Sequence, residues 1–187
     1  MSKRVILPIL VLVAIFGGLY VYEQYLKFPP PPGYHREISY PDKIKEADRV
    51  ALGEAFGKTL ATIDKDKHDK SAWMDLGALY NIIGDYQGAR LSWEYAAILD
   101  PNSFVPLYNL GTLYLSDLKD YALSEKYFRQ ALVLDPSQIG VYQSLYDLYR
   151  YGLLDDTRAK AILEEGIEAN PFASPNLKYL LEHYDEA

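Results

Sequence analysis

Three prolines stand 35 residues apart, in Leu99-Asp100-Pro101, Leu134-Asp135-Pro136 and Ala169-Asn170-Pro171. Each must end the helix before it, because proline lacks an N–H and restricts the residue that precedes it. Between successive prolines lie two helical patterns separated by a short turn, so the chain must reverse direction twice per period. Self-similarity at such a period outranks any single motif. It describes stacked supersecondary units, each burying its apolar face against the next.

The residues at fixed places in the period say how the helices meet. Small side chains recur at Gly77, Ala89, Ala96, Gly111 and Ala131, where the two helices of a hairpin come close. Large ones at Trp73, Tyr80, Trp93, Tyr114 and Phe128 follow i, i+3, i+4 spacing and fill the space between hairpins. Gly84-Asp85 supplies the first reversal, with glycine at a helix C-terminus. This pattern resembles the tetratricopeptide repeat (TPR) family. Trp73-x2-Leu76-Gly77-x2-Tyr80, then Ala89-x3-Trp93, Ala96 and Pro101, meets every signature position of its repeat of about 34 residues. The second copy reads Leu107, Leu110-Gly111-x2-Tyr114, then Ser124-x3-Phe128, Ala131 and Pro136, with one extra residue between Tyr114 and Asp120. The third is degenerate: Tyr142, Leu145, Tyr149, Ala159, Leu163, Gly166 and Pro171, with Tyr146 where a small residue is expected.

The resemblance implies an all-α helical-hairpin solenoid. Its expected repeats are 70–103, 104–138 and 139–173, followed by a C-terminal capping helix over 174–187. Residues 41–69 read as a packing helix or a divergent repeat, opened by Pro41-Asp42 and carrying the stripe Ile44, Ala47, Ala51, Ala55, Leu60 and Ile63. Leu52-Gly53-x2-Phe56 echoes the first-helix signature without a second helix to complete it.

In the resembled family the first helices line a concave face on which partners dock. Carried over, that lining is Met74, Ala78 and Asn81, then Tyr108, Asn109, Thr112 and Leu115, then Gln143, Asp147 and Arg150. Family members that clamp a C-terminal carboxylate do so with basic and Asn side chains. Here the matching positions hold Met74, Ala78, Asn109, Gly140 and Ser144, so only the Asn is kept. A carboxylate needs donors or positive charge, and such tails are not the expected ligand. Aromatic, Met and amide groups suit an extended or helical peptide instead.

The N-terminus adds a second module. Val5–Tyr22 is an uncharged apolar run of eighteen residues, which as a helix is about 27 Å long, near the thickness of a bilayer's hydrocarbon. A signal-peptidase site needs small residues at two positions, and Ile15 and Phe16 spoil the candidates near Gly17 and Gly18. The expected layout is a tail over 1–4, an uncleaved transmembrane anchor over 5–25 and a Pro-rich spacer over 26–40. Lys3 and Arg4 favour the domain outside, making a single-pass membrane protein with an extracytoplasmic TPR domain.

Charge and composition narrow the partners. Lys3, Arg4 and Lys27 against Glu23 give residues 1–33 a balance of +2, so the chain's −7 leaves −9 on the remainder. That body repels phosphate backbones, so nucleic acid is not an expected partner. There is no cysteine, and His35, His68 and His183 are scattered; no metal, cofactor or catalytic residue is expected, and no enzymatic activity. The expected role is a scaffold for cell-envelope assembly that binds a protein or peptide. The alternative is an accessory subunit of a membrane enzyme or export system, and self-association stays open through Leu181 and Tyr184 on the last helix.

Overall fold

A computed structural model describes residues 29–172 and 174–184. They form eight α-helices: α1 Glu46–Lys65, α2 Lys70–Ile83, α3 Tyr86–Leu99, α4 Val105–Ser116, α5 Tyr121–Leu134, α6 Ile139–Asp147, α7 Asp156–Ala169 and α8 Pro175–Glu182. The pairs α2–α3, α4–α5 and α6–α7 are hairpins, and each stacks on the next. The 1–4 tail, the 5–25 anchor and residues 26–28 of the spacer lie outside the described residues. Among those that are described, no helix is long and apolar enough to cross a membrane.

Each hairpin turn is built the same way. A residue with positive φ precedes an aspartate that caps the second helix: Gly84 at 79°, Lys119 at 54° and Leu154 at 54°. Asp85, Asp120 and Asp155 then accept from Gly88 N, Leu123 N and Arg158 N at 3.0, 3.0 and 2.9 Å, which satisfies amides that the helix itself leaves free. The extra residue of the second repeat is absorbed just before this cap. Asp85 N donates to Tyr80 O, five residues back, whereas Asp120 N reaches Tyr114 O and Asp155 N reaches Tyr149 O, six back. In the third repeat the slack takes the form of a π-turn over Leu148–Gly152.

Small residues sit where the sequence requires close approach. A Cβ on Gly77 would overlap the Trp93 indole, and one on Gly111 would come within 2.5 Å of the Phe128 ring. Trp93 Nε1 donates to Met74 O at 3.2 Å, and Ser124 Oγ to Gly111 O at 2.9 Å, tying each second helix to its first. The core divides into two clusters. One surrounds Trp73, Leu76, Tyr80, Trp93 and Leu110, and the other Phe128, Tyr142, Leu145, Tyr149 and Leu163.

The N-terminal region departs from expectation in three ways. The helix starts at Glu46, not at Pro41-Asp42. Its buried side chains are Phe56 and Ile63, while Ala47 and Ala51 are exposed, because the helix rotates to set Phe56 against Tyr80, ring centroids 5.1 Å apart. Finally, the stretch assigned to a spacer is docked from Tyr34 onward. Tyr80 Oη donates to Tyr34 O at 2.6 Å and accepts from Arg36 N at 3.2 Å. Arg36 pairs with Asp85, and Tyr34, Ile38 and Tyr40 pack on the first core cluster. We call residues 34–40 the strap.

Candidate functional site

The first helices α2, α4 and α6 bury one side each: Trp73, Leu76 and Tyr80; Leu110, Gly111 and Tyr114; Tyr142, Leu145 and Tyr146. By the 3.6-residue period their other faces stay open. Ala78 and Gln143 are exposed, and Met74, Asn81, Tyr108, Asn109, Thr112, Leu115, Asp147 and Arg150 are half-buried.

These residues are divided among clefts rather than gathered in one. Met74 lines a cleft of about 220 Å³ with Lys70, Ser71, Val105 and Pro106, between α2 and α4. Leu115 and Asp147 share one of about 430 Å³ with Lys119, Tyr121 and Tyr151, between α4 and α6. Ala78 faces the N-terminal end, in a cleft of about 420 Å³ between α1 and α2. Tyr108 leans on Phe128 at 5.8 Å and belongs partly to the core, and Thr112 Oγ1 is spent on Tyr108 O at 3.0 Å. Arg150 turns toward the C-terminal end, bound to Asp156 at 2.6 Å and stacked 4.4 Å over the Tyr184 ring, so it supplies no cation to the groove.

Burial burdens two polar groups on these helices. Asn81 Oδ1 is buried and accepts no hydrogen bond, which leaves a carbonyl acceptor desolvated at a cost of about 1–3 kcal/mol. Burial also raises the Asp147 carboxyl above its ordinary value. Sequence reasoning missed Ser71, Asp75, Lys119 and Tyr151. Ser71, Asp75 and Ala78 form an i, i+4, i+7 stripe that periodicity alone would have exposed, whereas Lys119 and Tyr151 belong to turns whose placement depends on the extra residue.

This arrangement defines a TPR-type α-solenoid, with its first-helix face left open. Residues 106–138 match the family model described as tetratricopeptide repeat. Two solved structures share the fold. A MamA RS-1 ArsTM double mutant is 20% identical at a TM-score of 0.58, covering 75% of this chain and 85% of its own. A crystal structure of MamA is 18% identical at a TM-score of 0.58, covering 80% and 91%. Among curated proteins none matches.

Proposed function

We propose that this chain is a membrane-anchored, non-catalytic adaptor whose TPR-type domain holds a polypeptide on the open face of α2, α4 and α6 during assembly of a cell-envelope complex. The observation that carries the docking surface is that the sides of α2, α4 and α6 turned away from the core stay open, with Met74, Tyr108, Asn109 and Leu115 only half-buried. A partner's basic side chain offsets the burial of the Asp147 carboxyl on that face. The bound segment is therefore a peptide with apolar anchors and a positive group, recognised through Met74, Tyr108, Asn109 and Leu115. The anchor rests on the apolar run Val5–Tyr22, and the extracytoplasmic placement on Lys3 and Arg4 before it.

Crosslinking in intact membranes followed by mass spectrometry recovers a discrete set of partners. Replacing Tyr108, Asn109 and Thr112 together with alanine removes that set while helicity by circular dichroism is retained. Unchanged recovery from the folded variant rejects the groove. Protease added outside sealed cells cleaves the domain, and protection of the domain reverses the orientation.

A further inference from the structure

The described helices begin and end out of phase. Helix α1 occupies the place of a second helix, not a first. Phe56 lies against Tyr80 as Glu125, 69 residues on, lies against Tyr149, to which its carboxylate bonds at 2.8 Å. The helix also ends where second helices end: Asp66 N donates to Thr62 O as Asp100 N does to Ala96 O and Asp135 N to Ala131 O. In this register Ala55, Thr59 and Thr62 correspond to Ala89, Trp93 and Ala96, which are buried beneath their own first helix. No first helix covers α1 among the described residues. Its seat is the cleft of about 420 Å³ lined by Ala55, Lys58, Thr59, Thr62, Ser71 and Asp75.

At the other end, α8 has the register of a first helix, and among the described residues no second helix covers it. Leu177, Leu180, Leu181 and Tyr184 stand 35 residues after Tyr142, Leu145, Tyr146 and Tyr149. Leu177 and Tyr184 are buried, whereas Leu180 and Leu181 are only half-covered. Helix α1 packs on α2, and α8 packs on α7 at the far end of the stack.

We propose that α8 of one molecule occupies the open seat between α1 and α2 of a second copy, joining molecules head to tail. Residue volumes support the match. Within hairpins the place of Gly77 faces the place of Trp93, and the two sizes vary inversely: Gly77 with Trp93, Gly111 with Phe128, then Tyr146 with Leu163. The junction sets Leu181 against Thr59, a medium pair. Charge does not oppose the match, since the seat carries Lys58 with Asp69 and Asp75, and α8 carries Lys178 and Glu182. The contact is heterologous, so it propagates rather than closing at two copies. It takes up Ala78 at the N-terminal edge of the first-helix face but uses neither Asn109 nor Asp147.

The absence of cysteine makes the test direct. Full-length Thr59→Cys and Leu181→Cys are prepared separately in detergent. Mixed and oxidised, they give one disulfide-linked dimer that neither gives alone. The double variant T59C/L181C gives a ladder. Thr59→Trp weakens association about tenfold or more by overfilling the junction, and adding Leu181→Ala recovers most of it by restoring the large–small pairing. Circular dichroism verifies the fold of each variant. No mixed dimer from folded variants, or capture of T59C by a different protein in membranes, overturns the proposal. So does an additive double mutant.

Discussion

Leu154 is 80% exposed, yet it holds a φ of 54° that glycine holds in the first hairpin. A Cβ in this region costs roughly 1–2 kcal/mol, set against the lower unfolded-state entropy that a non-glycine residue brings. The balance makes Leu154→Gly stabilising by about 0.5 kcal/mol, and Gly84→Ala destabilising by about 1 kcal/mol. Urea midpoints of the two variants are expected to move in opposite directions. Equal movement would mean that the turn relaxes out of the left-handed region. The repeated aspartate after each such residue was visible in the sequence. That lysine and leucine take the place of glycine was not, because the requirement comes from the closed hairpin and not from local preference.

The strap shows how one element depends on a few polar atoms. Tyr80 Oη both donates to Tyr34 O and accepts from Arg36 N. Asp64 holds the other side, bonding Lys67 at 2.5 Å, Tyr34 at 2.8 Å and His35 at 3.1 Å. Those contacts, Lys67 foremost, keep its carboxyl well below the usual carboxylate range. Its stabilising effect is thus present above the unfolded carboxylate value and is lost as pH falls through the lower, folded one. Tyr80→Phe deletes the hydroxyl while leaving the ring against Phe56. It should release residues 34–40 to limited proteolysis at a cost of about 1–2 kcal/mol, two hydrogen bonds' worth. If cleavage in that stretch is unchanged, packing of Tyr34, Ile38 and Tyr40 is what holds the strap. Such docking was not legible beforehand. FPPPPG and its flanks read as a spacer, and only the tertiary structure brings Tyr80 Oη to the strap's backbone.

At the scale of the molecule, tyrosine is the main filler: there are eighteen in the chain. Desolvation raises Tyr80, Tyr114, Tyr127, Tyr142, Tyr149 and Tyr184, and takes Tyr95 and Tyr146 to about 12. A phenol raised above its unfolded value of about 10 lends stability in full below that pH, and loses it as pH climbs through the folded value. Stability should therefore hold level up to about pH 10 and fall between about 10 and 12, with phenolate absorbance rising in step with lost helicity. Phenolate forming without loss of helicity would show these tyrosines to be solvent-accessible. The sequence by itself determined the stacked hairpins, since prolines at equal spacing end helices locally and small–large pairs set which faces meet. It also singled out the first-helix face, because that face follows from a 3.6-residue period. Only the tertiary structure decided that α1 is a second helix and not a first. Its apolar stripe suits either role, and Phe56 meeting Tyr80 is a contact between helices that no local pattern encodes.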